Sequence, residues 1–250
     1  MNLQKSSNPA MNEKILQSWS APDAISSEDT MTVSGAVNKS FILLALALAS
    51  ASYTWSQTLT AGTMNSAWVW GGAIGGFILA LITIFRPQSA GITAPIYAIL
   101  EGLFLGAISA MYASLYDGIV LQAVGLTFGT FLTLLLAYRS GWIKVTDKMR
   151  WGIVAATGGI VFLYFLSWIM SFFSVGIPVL HGNGWVGIGF SLFVVVIAAL
   201  NLILDFDFID RAAQARAPKY MEWYGAFGLM VTLVWLYLEF LRLLSKLNSR

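Results

Sequence analysis

Long apolar stretches separated by short polar ones fill the chain from about residue 40 onward. An apolar stretch of about 20 residues is long enough for a helix to cross a bilayer. Seven stretches meet this condition, and they are residues 40–59, 66–85, 94–112, 119–138, 151–175, 185–204 and 225–244. The pattern predicts an all-α polytopic membrane protein with seven transmembrane helices in one domain, residues 36–250.

The first 35 residues have a different composition, with many Ser, Asn, Asp and Glu residues and little apolar patterning. Such a composition predicts a flexible polar tail, residues 1–35, with room for a short helix near residues 11–18. The tail is not a secretory signal peptide, because no apolar core follows a basic start.

Overall composition excludes several classes of function. Hydrophobic residues make up 58% of the chain and charged residues only 10%, whereas average usage includes about 25% charged residues. The absence of cysteine excludes disulfides, thiolate metal sites and cysteine nucleophiles. The single histidine, His181, falls in a predicted outer loop and is most simply solvated. The net charge of +2 gives no reason to expect nucleic acid as a partner.

The Lys and Arg residues between the spans report orientation, because they are enriched in cytoplasmic loops. With a cytoplasmic N-terminus, the outer loops contain no Lys or Arg, and the inner segments contain Lys5, Lys14, Lys39, Arg86, Arg139, Lys144, Lys148, Arg150, Arg211, Arg216 and Lys219. Arg242, Lys246 and Arg250 disagree, since seven crossings would carry them outside. The last segment therefore either crosses against this bias or re-enters, and its length favours crossing.

Small residues four positions apart predict close helix packing. The pairs are Gly71 with Gly75, Gly72 with Gly76, Gly102 with Gly106, and Gly125 with Gly129. Tryptophan and tyrosine near the span ends, Trp223 and Tyr224 among them, are typical of anchors at the membrane interface.

Three acidic residues lie inside or at the edge of the apolar segments: Glu101, Asp205 at the end of the sixth, and Glu239 in the last. No Lys or Arg lies in the middle of a span. An acid in a low dielectric either takes up a proton or finds a cation, so these residues indicate a proton- or cation-responsive site.

Each of the three acids also has a structural interpretation. Asp205 is compatible with a solvated acid at the membrane edge, balanced by Arg211. Glu239 is compatible with a local ion pair to Arg242, three residues on. Glu101 is flanked by apolar residues, which favours a functional role or a buried hydrogen bond over exposure to lipid.

The segments PIYAILEGLFLGAISAMY, LNLILDFDFI and WLYLEFLRLL resemble the Bax inhibitor-1/YccA family, also called the transmembrane Bax inhibitor motif family. The resemblance covers roughly residues 37–247 and looks closest to the bacterial branch, which implies a bacterial inner membrane location. It implies a bundle packed around a central C-terminal helix, residues 225–244. It also implies a pH-sensitive calcium leak controlled by two acids, which fall on Asp205 and Glu239; relatives commonly have aspartate at the latter position.

The resulting hypothesis is that Asp205 and Glu239 approach closely and share a proton, because two adjacent carboxylates do not both ionise easily. Their oxygens suit calcium, a hard cation, in a weak and transient site. Calcium and protons are then permeant or regulatory ions, and no cofactor is expected.

The alternative is a membrane-embedded regulator of a quality-control protease or stress pathway, with the polar tail engaging the partner. An enzyme is not expected, because no histidine lies in a span and the G-x-G-D sequence of aspartyl intramembrane proteases is absent.

Overall fold

The computed structural model describes residues 30–62, 65–173, 182 and 184–249. Seven of the helices in this part are long and apolar enough to cross a membrane, which confirms the predicted all-α, seven-span class. They are α1 (Val33–Ala61), α2 (Ser66–Phe85), α3 (Ala90–Leu115), α4 (Ile119–Arg139), α5 (Asp147–Ser171), α6 (Trp185–Gln214) and α7 (Met221–Asn248). A 3-10 turn, Pro87–Ser89, leads into α3.

Several helices extend beyond the predicted apolar spans because polar contacts stabilise their ends. The α1 helix begins at Val33, where the Thr32 side chain accepts a hydrogen bond from the Gly35 amide at 3.0 Å. The α6 helix continues to Gln214, and an Asp207–Arg211 ion pair of 2.9 Å lies in this extension. Asp205 therefore follows the predicted apolar span directly but lies within the α6 helix, which continues for nine more residues.

The chain forms two compact units. Unit 1 comprises Met1–Leu115 with Asp205–Val231, and unit 2 comprises Tyr116–Leu204 with Thr232–Arg250. Residues 30–35, the end of the predicted tail, belong to unit 1. The rest of that tail, including the predicted helix near residues 11–18, lies outside the described residues, as does His181.

Glycines of α3 allow α1 to approach closely in unit 1. A Cβ atom at Gly102 would overlap with the carbonyl oxygen of Ala47, and one at Gly106 would overlap with that of Ala51. Neither position tolerates a side chain without a shift of the α1 backbone, so the packing role predicted for this pair is confirmed.

The other predicted glycine pairs divide into two groups. A Cβ atom at Gly72 would lie 2.7 Å from the Leu100 carbonyl oxygen, so α2 also packs closely on α3. At Gly125 and Gly129, by contrast, no described atom outside the local helix lies within 4 Å of such a Cβ atom. The close packing predicted for Gly125 and Gly129 is therefore wrong. Their spacing places both glycines on one face of α4, but among the described residues no neighbouring helix packs closely on either glycine.

The two kinds of glycine predict opposite effects of one added methyl group. Gly106→Ala is expected to lower the free energy of unfolding by about 1–3 kcal/mol through overpacking. Gly129→Ala is expected to raise it by about 0.5–1 kcal/mol, because alanine is the better helix former and has room. Denaturant unfolding in detergent micelles measures both, and equal stability of the two variants would contradict the close α1–α3 contact.

Unit 2 has an apolar core formed by α5, α6 and the second part of α7. Ile160, Val194 and Ile197 are buried at its centre, and the partly buried residues around them are Ala156, Tyr164, Phe190, Leu200 and Trp235. Asn201 joins α6 to α5 by donating a hydrogen bond of 2.9 Å to the Thr157 hydroxyl. This core positions the side chains of α7 that form the candidate site.

Protein burial is unevenly distributed among the helices. In the most apolar window of α7, 61% of the residues are buried, against 17% in α1, α2, α4 and α5. The α7 helix is therefore covered mainly by protein, whereas most residues in the corresponding windows of those four helices are not buried. Its central position in the bundle stays a prediction.

Candidate functional site

A buried carboxylate, Glu239, is the centre of a polar cluster in unit 2. Its side chain is 2% exposed. Its Oε1 accepts hydrogen bonds from the Tyr164 hydroxyl at 3.0 Å and from Arg242 Nη1 at 2.8 Å, and its Oε2 lies 3.1 Å from the same nitrogen. Arg242 also donates to the Tyr164 hydroxyl. The three side chains form a closed triangle around one carboxylate.

Helix periodicity and tertiary packing build this cluster together. Arg242 follows Glu239 by three residues, so both project from the same face of α7. Tyr164 comes from α5, and its ring packs edge-on against Phe190 with centroids 6.4 Å apart. The Arg242 guanidinium lies 5.0 Å from the Tyr164 ring centroid, a cation–π contact that adds to the ion pair.

The local ion pair considered for Glu239 is therefore present, and Arg242 is the cation that the apolar segment was expected to lack. The side chain of Arg242 is 39% exposed, so the buried carboxylate is linked to the protein surface through its partner. Tyr164 was not predicted, because nothing in the α5 sequence indicates which of its residues faces α7.

Lys246 is a buried cation on the same face of α7 as Arg242. Its Nζ donates to the Gly187 carbonyl at 3.0 Å and to the Ser191 hydroxyl at 2.9 Å, both on α6. The sequence suggested only that Lys246 reports membrane orientation. In unit 2 it instead joins α7 to α6.

Asp205 lies in unit 1 and is 1% exposed. The interpretation of Asp205 as a solvated acid balanced by Arg211 is therefore wrong, because Asp205 is buried and Arg211 pairs with Asp207 at 2.9 Å. Asp205 belongs to unit 1 and Glu239 belongs to unit 2. The close approach of these two carboxylates, which the sequence predicts, therefore stays a prediction.

Glu101, the third acid, lies on α3 in unit 1 and is partly buried. Its Oε2 lies 2.8 Å from the position that a Cβ atom on Gly76 of α2 would occupy. The carboxylate thus packs on the bare backbone of a neighbouring helix, as expected for an acid that does not face lipid. Tyr97, one turn earlier, is buried against the Phe227 ring at 5.0 Å between centroids.

A fourth acid, Glu222, was not predicted as a site residue, although it is completely buried. Its Oε1 accepts hydrogen bonds from the Thr32 amide and hydroxyl, both at 3.0 Å. Its Oε2 pairs with Lys39 of α1, and Lys219 lies 3.4 Å from Oε1. These contacts fasten the start of α1 to the first turn of α7, and we call them the Glu222 clasp.

Backbone contacts reinforce the Glu222 clasp. Met31 donates a hydrogen bond of 2.7 Å to the Ala217 carbonyl, and Thr30 forms an antiparallel bridge with Pro218. A Cβ atom at Gly35 would overlap with the Glu222 carboxylate, so a larger residue here would displace the carboxylate. The carboxylate is thus enclosed by backbone as well as by cations.

Two residues predicted as interface anchors lie beside the Glu222 clasp. Tyr224 is fully buried, so the prediction that it anchors the chain at the membrane interface is wrong. The Trp223 ring lies 5.5 Å from Lys39 Nζ and covers the cation of the clasp.

No group of three or more His, Cys, Asp or Glu side chains that could hold a metal ion occurs among the described residues. The four acids lie on α3 (Glu101), α6 (Asp205) and α7 (Glu222 and Glu239). Chemically, such an arrangement suits the exchange of protons and the brief binding of a cation, because neither requires a full ligand cage.

The fold and these side chains define a polytopic membrane protein with buried acids in its spans. The family model described as Bax inhibitor 1 like matches residues 4–249, so the chain belongs to this family. The resemblance inferred from the three sequence segments is thereby confirmed. Searches among curated proteins and among solved structures found no match to the chain.

Proposed function

We propose that this protein is a pH-sensitive cation leak with calcium as a permeant ion. The observation that carries the proposal is Glu239, a carboxylate buried within a membrane helix and bound by an arginine that reaches the surface. Charged residues at this depth are costly and usually belong to ion or proton pathways. Family membership supports the same assignment.

In the proposed mechanism, Asp205 and Glu239 are the proton-controlled acids, and Glu101 is a third acid on the ion route. Arg242 contacts both oxygens of Glu239, so it competes with a calcium ion or a proton for the same lone pairs. Weak, exchangeable binding suits conduction, because an ion must also leave. The activity is transport, with no catalytic step and no cofactor.

The test is calcium flux into dye-loaded liposomes that contain the purified protein, measured over a series of pH values. Asp205→Asn and Glu239→Gln are each expected to change the rate by about tenfold and to flatten its pH dependence; tenfold corresponds to about 1.4 kcal/mol in a barrier. Glu101→Gln is expected to change the flux rate by a smaller factor and to flatten its pH dependence less.

Asp147→Asn is the matched control, because Asp147 is an acid with a side chain 67% exposed. Wild-type flux in both Asp205→Asn and Glu239→Gln would refute the acid pair. If the two residues share a proton, the change in the logarithm of the flux rate in the double variant will be smaller than the sum of the changes in the two single variants. Additive effects would mean that they act separately.

We further propose a bacterial inner membrane location with a cytoplasmic N-terminus. The cations that opposed this orientation, Arg242 and Lys246, have hydrogen-bond partners inside unit 2. Because these partners replace water, the two residues need not remain on the cytoplasmic side to be satisfied. Their position is then compatible with seven crossings.

Cysteine labelling tests the orientation, because the chain has no cysteine of its own. Ser249→Cys is expected to react with a membrane-impermeant maleimide in spheroplasts, and Ser140→Cys is expected to react only after lysis. The reverse pattern would refute the orientation, and protection of both until lysis would indicate that the last helix re-enters.

The Glu222 clasp favours a second function, a regulator of a membrane quality-control protease or stress pathway. The predicted tail joins the described chain at Thr30, and Thr30 and Thr32 contact the α6–α7 connection and α7 directly. A partner bound to the tail would therefore act on α7. Deletion of residues 1–29 is expected to abolish partner binding and spare flux, and loss of flux with retained binding would contradict this function.

A further inference from the structure

The connection between α4 and α5 carries an exposed group of basic residues around one tryptophan. Trp142 is 87% exposed, the largest value among the large hydrophobic side chains that the structure describes. Arg139 at the end of α4, Lys144 in the connection and Lys148 in the first turn of α5 are also exposed. We call these four residues the basic loop patch.

Hydrogen bonds fix the backbone that presents the basic loop patch. The Ser140 amide donates to the Leu136 carbonyl at 2.9 Å, and the Ile143 amide donates to the Ala137 carbonyl at 3.3 Å. Gly141 allows this turn with a φ of 76°. At the other end, the Thr146 hydroxyl caps α5 by accepting from the Met149 amide at 3.2 Å. The patch is thus held between two capped helix ends.

The positive charge of the patch is not neutralised by nearby acids. Asp147, the acid closest in sequence, pairs with Arg150 at 3.4 Å. Among the described residues, no carboxylate lies within 4.0 Å of the charged nitrogens of Arg139, Lys144 or Lys148. Three positively charged residues therefore lie within six positions of one exposed tryptophan along the chain.

We propose that the basic loop patch binds the headgroups of anionic phospholipids at the membrane surface. Tryptophan is favoured at the level of the headgroups. Lysine and arginine next to a span attract anionic lipids, by about fivefold in affinity for each charge. The patch combines both features at the ends of two membrane-spanning helices, where headgroups lie. This binding is independent of the proposed ion leak.

Selective quenching of a single dye tests the binding. Because the chain has no cysteine, Ser140→Cys places the dye beside the patch without further changes. The labelled protein is placed in nanodiscs of mixed phosphatidylglycerol and phosphatidylcholine, with only one of the two lipids brominated near the headgroup. Quenching by brominated phosphatidylglycerol is expected to exceed quenching by brominated phosphatidylcholine several-fold at equal amounts.

The variant Lys144→Gln/Lys148→Gln is expected to lose most of the excess quenching by brominated phosphatidylglycerol. If the two charges act independently, the affinity for phosphatidylglycerol relative to phosphatidylcholine falls by about 25-fold. Arg86→Gln, a change of an exposed cation at the end of α2, is the matched control and should retain it. High salt should reduce the excess, because charges at the surface are screened. Equal quenching by the two lipids in the wild type, or an unchanged excess in the double variant, would overturn the proposal.

Discussion

Replacing Lys39 with methionine is expected to destabilise the folded protein by about 3 kcal/mol, because it removes the closest cation from a fully buried carboxylate. Glu222 would keep its two hydrogen bonds from Thr32, but they do not cancel a full charge. The methionine side chain has a similar length to the lysine stem, so little packing is lost. The measured quantity is the free energy of unfolding in detergent micelles.

Lys219 supplies the matched control for the Lys39 variant, since it faces the same carboxylate. Its side chain is about half exposed and its distance to Glu222 is 3.4 Å, so Lys219→Met should cost about 1 kcal/mol or less. The double variant Lys39→Met/Glu222→Gln should recover part of the lost stability, because no charge remains buried. Equal effects of the two lysine variants would show that Lys39 is not the main counter-ion.

Replacing Arg242 with methionine is expected to produce the second large effect, a loss of about 3 kcal/mol in unfolding free energy. The variant leaves the Glu239 carboxylate with the Tyr164 hydroxyl as the remaining partner of the triangle. Under the proposed function, it also removes the group that competes with calcium for Glu239. The calcium leak in liposomes should therefore rise by about tenfold, or about 1.4 kcal/mol in the barrier.

Two further variants separate these consequences. Tyr164→Phe removes one hydrogen bond and should cost about 1 kcal/mol. Glu239→Gln combined with Arg242→Met removes both charges and should restore much of the stability while leaving the leak unresponsive to pH. A leak that is unchanged in Arg242→Met, despite the loss of stability, would show that the triangle is structural and not part of the ion route.

The seven spans were predictable because a long apolar helix has few alternatives in a membrane. Their ends were less predictable, since contacts distant in sequence determine them. The start of α7 illustrates the reason, because Glu222 is stabilised there by Thr32 and Lys39, residues far away in the chain. Because hydropathy is averaged over a window of residues, the polar residues at the start of α7 are assigned to the preceding loop.

The candidate site could be predicted only in part, for a related reason. Glu101, Asp205 and Glu239 were singled out because a charge in an apolar run is conspicuous. Glu222 precedes the last apolar segment, which begins at Gly225, and therefore gave no such signal. The Arg242 contact was visible in the spacing of three residues, whereas the contribution of Tyr164 depends on how α5 packs against α7.

The glycine pairs also show that a local sequence pattern does not reveal which helix packs against it. The pairs Gly102 with Gly106 and Gly125 with Gly129 are identical as patterns, but only the first has a neighbouring backbone in contact. A sequence pattern defines which residues share a face of a helix. The partner of that face is a property of the whole fold.

The length of α6 has a consequence for the route by which protons reach Asp205. The helix has 30 residues, or about 45 Å, which exceeds the hydrocarbon thickness of about 30 Å. With Trp185 at one headgroup boundary, Asp205 lies about 30 Å along the axis, level with the opposite boundary. The remaining turns of α6 then extend beyond the hydrocarbon, and Phe206, Phe208 and Ala212 in them are buried by protein. Under the proposed function, protons would therefore reach this buried acid from the aqueous phase on that side of the membrane, through the protein that covers the end of α6.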